Sequence, residues 1–336
     1  MFFVIAITVL WIIHGYVAWR VLPTLGLSSI QVIMGYLLVF LCSLLPILPV
    51  IIRMIGNETK IIDRIALIGY TSLGFFVLSF LFLITKDFIA QIFIILNNSF
   101  SSEQVIDKSK RDFIKKSLTL GAISISGIGS AYGFHSSRIG PKIIEQDIFI
   151  DSLPSQFDDF IIAQISDLHV GPTIKRKYVE IVQEKIELIN PDIIAVTGDL
   201  VDGSVKHLSK ELQPFKDMIA EYGTYFVTGN HEYYSGVESW LEETDKLGMI
   251  NLINEHRLIS KDGKKIMMAG ITDFRAHFIK KSHKSNPKKA LKSINDDLVK
   301  IMLAHQPNSI YQVNEAGADL VFSEVVSTRK KEKDRP

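Results

Sequence analysis

The first 137 residues of this chain contain four long apolar stretches without a single Asp, Glu, Lys or Arg. An α-helix rises about 1.5 Å per residue, so about 20 apolar residues cross the hydrocarbon core of a bilayer. Each stretch is long enough to do so. The sequence therefore predicts a membrane region over residues 1–137 with four spanning helices: Met1–Trp19, Val21–Ile52, Ile65–Thr85 and Ser117–Ser137.

A fifth stretch, Phe88–Ser102, is shorter and becomes polar at its end. It is either an additional crossing or an amphipathic helix lying along the membrane surface. Two clusters of basic residues favour cytoplasmic loops, one after the second span and one before the last. Both loops can be cytoplasmic only if the chain crosses the membrane twice between them. These clusters are Arg53, Lys60 and Arg64, and Lys108, Lys110, Arg111, Lys115 and Lys116.

The segment 109–115, S-K-R-D-F-I-K, precedes a moderately apolar stretch rich in Gly and Ser. It resembles a twin-arginine export signal with lysine in place of the first arginine. The alternative is an ordinary basic flank of a membrane helix. Together with the loop charges, this segment leads us to expect a multi-pass protein of the cell membrane whose soluble part lies outside the cytoplasm.

Composition separates the chain into two unlike halves. The 336 residues have a mean hydropathy of +0.23, and the apolar excess lies almost wholly before residue 137. The formal net charge of +1 gives no reason to expect nucleic acid or another polyanion as a partner. Cys42 is the only cysteine, so the sequence excludes an intrachain disulfide and a thiolate metal cluster.

From about residue 138 the pattern changes to apolar strands that alternate with helices. Alternation of this kind predicts an α/β domain in which helical layers cover a sheet core. We place this domain at residues 138–323. The predicted strands are Ile143–Ile150, Phe160–Ile165, Ile193–Val196, Thr224–Val227, Ile266–Ala269, Val299–Leu303 and Leu320–Phe322; the predicted helices are Val179–Ile189, Leu208–Ala220 and Val237–Leu247; a hairpin turn is predicted at Lys261–Lys264.

Three polar strings follow three of these strands directly: I-S-D-L-H-V at 165–170, V-T-G-D-L-V-D-G at 196–203 and V-T-G-N-H-E at 227–232. Open α/β sheets bind their ligands at the ends of strands. Carboxylates, imidazoles and an amide oxygen gathered at one edge suit hard or borderline divalent cations. The sequence therefore predicts a metal site built from Asp167, His169, Asp199, Asn230 and His231.

The strings and the later A-H-Q-P at 304–307 follow the order D-x-H, G-D, G-N-H-[DE] and a lone His. This order resembles the calcineurin-like metallophosphoesterases, and the layout resembles their membrane-tethered bacterial subgroup. The resemblance runs from about Ile144 to Ser323. It implies two stacked mixed sheets flanked by helices, a four-layer α/β/β/α fold. It also implies a phosphohydrolase that acts on phosphomonoesters or phosphodiesters.

The resemblance implies a role for each site residue. Asp199 would bridge two divalent ions (manganese, iron or zinc), Asp167 and His169 would hold the first ion, and Asn230 and His305 the second. A hydroxide between the ions would be the nucleophile. His231 would be the catalytic residue that contacts the phosphate and assists the leaving group, and Glu232 would orient it. Asp202 and Asp273 are interpreted as turn or strand-end residues.

The last block of the family, G-H-x-H, has no counterpart, because no histidine follows His305. We therefore expect a C-terminally incomplete domain in which both coordination shells lack an imidazole, followed by a charged tail at residues 324–336. Glu324 is the nearest alternative donor, and we do not assign it as a ligand. The alternative function is accordingly a catalytically impaired, truncated membrane protein that binds metal weakly or not at all.

The segment Arg275–Lys289 is rich in lysine and contains two histidines. Such a run is usually a solvated loop. Its functional alternative is a patch that attracts anionic lipid head groups or a phosphorylated substrate. The partners expected from the sequence are thus membrane lipid and a phosphate ester, which could be a lipid or another metabolite of the cell envelope.

Overall fold

The computed structural model describes residues 2–100, 108–292, 297–324 and 327–328. The chain divides into two compact units, Met1–Ile139 and Gly140–Pro336. Among the described residues, the first unit is helical and the strands lie in the second. The change of composition near residue 137 therefore coincides with a change of architecture.

Five helices form the described part of the first unit: α1 (Phe2–Val21), α2 (Ser29–Leu44), α3 (Leu48–Met54), α4 (Lys60–Phe100) and α5 (Lys108–Ser136). Among the described residues, three segments are long and apolar enough to cross a membrane: Val4–Leu25, Ser29–Met54 and Lys60–Leu96. Many large apolar side chains on these helices are exposed, including Ile30 at 73% and Ile33 at 67%. An apolar outer surface is what a lipid solvent requires, so these helices support a membrane protein.

Pro46 divides the predicted second span into α2 and α3. Proline has no backbone N–H to donate, and its ring clashes with the preceding turn of a helix. The break lies against α4, where a Cβ on Gly69 would come within 2.5 Å of the Leu45 carbonyl oxygen. A glycine at this position allows the two backbones to touch.

Two predictions for the first unit concern α4 and α5. Phe88 does not begin a separate helix, because α4 continues without interruption through Phe100; residues 101–102 of that predicted stretch lie outside the described residues. The predicted span Ser117–Ser137 falls within α5, which is not among the three candidate spans. Further crossings, like the side on which each loop lies, stay predictions.

The second unit contains nine strands and six α-helices in its described residues. The strands are β1 (Ile162–Ile165), β2 (Ile193–Val196), β3 (Thr224–Phe226), β4 (Met249–Asn251), β5 (Glu255–Lys261), β6 (Lys264–Gly270), β7 (Lys300–Leu303), β8 (Leu320–Phe322) and β9 (Ser327–Thr328); the helices are α6 (Arg176–Ile189), α7 (Val205–Leu208), α8 (Asn230–Ser235), α9 (Val237–Lys246), α10 (Pro287–Ala290) and α11 (Ile310–Ala316).

The strands form two sheets. Strands β1-β2-β3-β4 are parallel throughout, and β5-β6-β7-β8-β9 form a mixed sheet with antiparallel pairs at both ends. Side chains on a strand point alternately to its two faces. In β2, Ile194 and Val196 pack toward α6 and α9, whereas Ile193 and Ala195 pack against the second sheet. Both faces of the strand are buried, which explains its wholly apolar sequence.

Three apolar cores lie between four layers. One fills the space between the first sheet and its helices, one lies between the two sheets, and one lies between the second sheet and helices α10 and α11. Trp240 of α9 is 1% exposed in the first core, and its indole N–H donates to the Gly203 carbonyl at 2.9 Å. The predicted fold class, two stacked sheets flanked by helices, is confirmed.

Three local predictions for this unit are wrong or displaced. Residues 143–150 form no strand, and Ile144 and Phe149 are 88% and 90% exposed. The predicted helix Leu208–Ala220 is replaced by α7 and a 3₁₀ turn, Gln213–Asp217, with Pro214 in its first turn. The predicted tail from residue 324 includes β9, which pairs antiparallel with β8.

Candidate metal centre

The predicted site residues lie at adjacent strand ends of the two sheets. Asp167 and His169 follow β1, Asp199 follows β2, and His305 follows β7. The loops after β1 and β2 hydrogen-bond directly: the His169 N–H donates to the Asp199 carbonyl at 3.0 Å, and the Asp167 N–H to the Gly198 carbonyl at 3.2 Å. Backbone bonds between the loops therefore fix the relative positions of their side chains.

Asp167, His169 and Asp199 have φ values of 55°, 47° and 51°. Few residues other than glycine adopt this left-handed region, and strained backbone of this kind clusters at functional sites. The conformation turns all three side chains toward one point. Packing and the interloop hydrogen bonds hold the loops in a geometry that a free loop would not adopt.

Three imidazoles converge on one carboxylate oxygen. Asp199 Oδ2 lies 3.3 Å from His305 Nε2, 3.7 Å from His169 Nε2 and 3.9 Å from His231 Nε2. Two groups of side chains offer ligand atoms that all lie within 4.8 Å of one another: His169, Asp199 and His231, and Asp167, Asp199 and His305. Asp199 belongs to both groups, which is the arrangement that a residue shared by two neighbouring cations requires.

These groups differ from the ligand pairs expected from the sequence. His305 lies with Asp167, and His231 joins His169, whereas the resemblance had paired Asp167 with His169 and Asn230 with His305. Asn230 begins α8, and its Oδ1 lies 3.4 Å from the Gln306 Nε2. The assignment of individual side chains to individual ions stays a prediction.

His305 is held by a backbone contact on one side and by carboxylates on the other. The residue is 2% exposed, and its Nδ1 lies 3.0 Å from the Thr197 carbonyl oxygen, so Nδ1 carries a proton and donates it. Nε2 then faces Asp199. Glu324 Oε1 lies 3.7 Å from the same Nε2, which places this carboxylate closer to the site than the sequence led us to expect.

The pKa values reflect the density of negative charge. The hydrogen bond that the His169 ring donates to Asp167, supported by one that it donates to Asp202, raises the pKa of His169 to about 10. Burial lowers the pKa of His305, but the hydrogen bond and the charge of Asp199 outweigh it and raise that pKa to about 9. In the metal-free protein both rings are therefore cationic at neutral pH, where they offset the negative charge of the carboxylates.

Asp202 is a residue whose importance the sequence interpretation missed. Its Oδ1 makes a short contact with His231 Nδ1, and its Oδ2 lies 3.2 Å from His169 Nδ1. The hydrogen bond between the His231 ring and this carboxylate is the main reason that the pKa of His231 is raised. The signal was present in the sequence, because Asp202 follows Asp199 by three residues in the same string.

Glu232 does not orient His231 as predicted. It is 1% exposed, and its carboxylate accepts hydrogen bonds from the backbone N–H groups of Gly229 at 2.7 Å, Leu200 at 2.8 Å and Asp199 at 3.1 Å. Burial, followed by the charge of Asp199, raises its pKa to about 7 despite these bonds. Glu232 thus ties the loop after β2 to the loop after β3.

The glycines of the G-D and G-N-H strings are required by close packing. A Cβ on Gly198 would lie 2.5 Å from the Gly229 nitrogen, and a Cβ on Gly229 would lie 2.5 Å from the Asp199 nitrogen. Gly198 also has a φ of +87°. The two loops approach so closely that neither position has room for a side chain.

Asp273 is a further carboxylate of this region that the sequence interpretation treated as structural. It is 1% exposed, its Oδ1 accepts the Arg275 N–H at 2.9 Å, and its Oδ2 has no hydrogen-bond partner in the described structure. Burial raises its pKa, and the charges of His305 and Asp199 act on it in opposite directions. Burying a carboxylate oxygen without a hydrogen-bond partner costs free energy, and this cost disfavours the charged form of Asp273.

Comparison with known proteins agrees with this geometry. The sequence pattern of the calcineurin-like phosphoesterases matches residues 160–328, just over half of the chain. The chain therefore belongs to the calcineurin-like phosphoesterase family. The matched region contains both sheets and every residue of the candidate metal centre.

The relatives include proteins with membrane segments. The chain is 28% identical over 261 residues to a transmembrane protein with metallophosphoesterase domain from Danio rerio. The aligned region covers 76% of this chain and 59% of the relative. It is 34% identical over 257 residues to an uncharacterized metallophosphoesterase from Helicobacter pylori strain 26695, covering 73% of this chain and 66% of the relative. A protein of the same description from strain J99 is 32% identical over 282 residues, covering 76% and 73%. The chain thus spans less than two thirds of the first two of these relatives.

Proposed function

We propose that this chain is a membrane-anchored, metal-dependent phosphohydrolase that cleaves phosphomonoesters or phosphodiesters. In this proposal Asp167, His169, Asp199, Asn230 and His305 hold two divalent cations, and His231 is the catalytic residue. The observation that carries the proposal is the position of Asp199 in both candidate ligand groups. Family membership supports the class of reaction.

The side chains present fit a pair of divalent cations. Two such ions ~3.5–4 Å apart repel each other by roughly 15–20 kcal/mol at an effective dielectric constant near 20, so anionic ligands must lie between them. Asp199 is 4% exposed and can supply this charge. The mixture of carboxylates and imidazoles favours manganese, iron or zinc over magnesium, which prefers oxygen ligands. When bound, the metals would supply positive charge to the phosphoryl oxygens and lower the pKa of a water molecule.

The protein's own groups would position and protonate the substrate. The side chain of His231 is 35% exposed, so it is accessible to a phosphate ester. Its Nδ1 contacts the Asp202 carboxylate. That contact orients the ring and favours its protonated form. A protonated His231 can donate a hydrogen bond to a phosphate oxygen and pass a proton to the leaving alkoxide. Asp202 is therefore a positioning residue in this proposal.

Turnover and metal content test the proposal together. We expect the purified full chain, supplied with manganese, to hydrolyse p-nitrophenyl phosphate or bis-p-nitrophenyl phosphate and to retain about two metal equivalents, as two-metal sites do. Elemental analysis of the protein and release of nitrophenolate are the measurements. No bound transition metal and no turnover would reject the proposal and favour the alternative, a catalytically impaired membrane protein.

Metal binding is expected to release protons. His169 and His305 have pKa values of about 10 and about 9 in the metal-free protein, so both rings are protonated at pH 7. An imidazole binds metal only in its neutral form, and each ring should therefore release about one proton. Calorimetric titration with manganese in two buffers of different ionisation enthalpy measures this release, and the affinity should rise as the pH increases from 6 to 8. A binding enthalpy independent of the buffer would contradict the assignment of these rings as ligands.

A further inference from the structure

Residues 275–292, which we call the basic segment, concentrate positive charge on the second unit. The segment contains no Asp or Glu, although the formal net charge of the whole chain is only +1. Positive charge is therefore segregated here, while the rest of the chain is acidic overall. Of its basic side chains, Lys280 is paired with Glu238 at 2.5 Å. The basic residues are Arg275, Lys280, Lys281, Lys284, Lys288, Lys289 and Lys292.

Two large apolar side chains project from the same segment. Phe278 is 77% exposed and Ile279 is 56% exposed. Single exposed apolar residues are ordinary on a protein surface, but an adjacent aromatic and aliphatic pair among basic residues is typical of segments that enter the interfacial layer of a membrane. Phosphorylated soluble ligands would give no reason for the apolar pair. A lipid surface accounts for both the charge and the exposed apolar pair.

Phe278 and Ile279 are exposed in a segment whose backbone is held in place by contacts with neighbouring elements. Ala276 is 1% exposed because it packs against Tyr233 and Val237. The Thr272 hydroxyl donates to the His283 carbonyl at 2.8 Å, and the Asn254 amide donates to the Lys284 carbonyl at 3.1 Å. The segment is thus anchored on both sides of Phe278, which leaves the ring directed away from the core.

The basic segment lies beside the candidate metal centre. The Tyr233 hydroxyl contacts His283 Nδ1 at 2.9 Å, and Tyr233 belongs to α8, two residues after His231. At the start of the segment, the Arg275 N–H donates to the buried Asp273. Tyr234, 66% exposed, lies 5.4 Å from the His231 ring, measured between centroids. Exposed apolar and basic side chains therefore begin at the edge of the site.

We infer that the basic segment docks onto an anionic lipid surface, with Phe278 and Ile279 inserted between the head groups, so that the metal centre acts on phosphate esters carried by lipids. The lysines bind the lipid phosphates, and each basic residue near an anionic membrane strengthens binding by about fivefold. The docking step is independent of catalysis. The choice of a lipid ester as substrate rests on the proposed function.

A fluorescent label at the apolar tip tests the docking step without any need for turnover. The full chain with Cys42→Ala and Phe278→Cys is labelled with an environment-sensitive dye and placed in nanodiscs of phosphatidylcholine, with or without phosphatidylglycerol. We expect blue-shifted emission and quenching by brominated lipids, both stronger when phosphatidylglycerol is present. The matched control is the same dye at Leu188→Cys, an 81% exposed apolar position on α6.

Charge reversal defines the result that would overturn the docking step. In a variant with Lys281→Glu, Lys284→Glu and Lys288→Glu, quenching of the label at residue 278 should fall to the level of the Leu188 control. If the labels at positions 278 and 188 behave alike in the unreversed chain, the segment does not enter the membrane. Equal quenching with and without phosphatidylglycerol would overturn the role of anionic lipid.

Hydrolysis rates test whether the substrate is a lipid-borne phosphate ester. A variant with Phe278→Ser and Ile279→Ser should hydrolyse p-nitrophenyl phosphate at the unmodified rate and phosphatidic acid in nanodiscs at least about tenfold more slowly, since two apolar contacts with the bilayer are lost. If the variant lost the same fraction of its rate on both esters, or lost none of its rate on phosphatidic acid, the lipid-ester assignment would be overturned. If the unmodified chain cleaves neither ester, the proposed function fails, and the label experiment still decides the docking.

Discussion

Replacing Asp199 with asparagine should abolish hydrolysis of nitrophenyl phosphates. Removing a residue that only hydrogen-bonds to a metal ligand typically lowers activity by about 10–100-fold, and we expect a larger loss of activity here. Asparagine has nearly the same shape and can still accept the His231 N–H, which donates to Asp199 Oδ1 at 2.9 Å. The negative charge disappears, and an NH2 group that can neither accept from an imidazole nor bind a cation replaces Oδ2. Because this charge lies within both candidate ligand groups, its loss leaves two like-charged cations without the anion between them.

The metal content of the Asp199→Asn variant should fall together with its activity. Asp217→Asn is the matched control, because Asp217 is exposed on the 3₁₀ turn after α7 and lies in neither ligand group. The control should keep both the activity and the metal. If Asp199→Asn retained two metal equivalents and substantial turnover, Asp199 would not lie between the ions, and the proposed mechanism would be wrong.

Replacing Gly229 with alanine should damage both stability and activity. The new methyl group would lie 2.5 Å from the Asp199 nitrogen, in backbone that cannot move without breaking the hydrogen bonds to Glu232. Overpacking of this kind typically destabilises a protein by about 1–3 kcal/mol. Here it should also displace Asp199, so turnover should be lost even well below the unfolding temperature. The measurements are the thermal unfolding midpoint in detergent and the hydrolysis rate.

Gly248→Ala separates the effect of a clash from that of backbone strain. Gly248 has a φ of +87°, and no atom lies within 4 Å of the position that a Cβ would occupy. Alanine there meets open space, so the substitution costs only the strain of the backbone conformation, about 1–2 kcal/mol. This variant should lose some thermal stability and keep its specific activity. Equal activity in the Gly229→Ala and Gly248→Ala proteins would show that the contact between the two loops does not position Asp199.

Much of the fold could be predicted from apolar runs and their neighbours. Strands β2 and β8 have the predicted boundaries, because short apolar runs lie between polar or turn-forming residues. The prediction failed where local pattern and packing disagreed. Residues 143–150 are rich in β-branched and aromatic side chains, as an edge strand would be, yet in the described structure they have no strand partner, and most of their large apolar side chains face solvent.

The composition of the site could be predicted, but its internal pairing could not. Strand ends placed Asp167 and Asp199 at one edge of the first sheet, because parallel strands deliver their C-terminal residues to the same side of a sheet, and they placed His305 at the end of β7 in the second sheet. The contact between Asp202 and His231 joins residues 29 positions apart. The hydrogen bonds of Glu232 likewise depend on how closely two loops approach, and no spacing in the sequence encodes that distance.

The sequence by itself determined which residues reach the edge of the sheets and which helices are apolar enough for a membrane, because hydrophobic periodicity and the order of the motifs are local properties of the chain. Only the tertiary structure decided that three imidazoles share one oxygen of Asp199, that Glu232 joins two loops, and that Phe278 projects from a fixed basic surface beside them. These features arise from contacts between segments that are distant in the chain, and their geometry is set by backbone hydrogen bonds and by the close approach of Gly198 to Gly229.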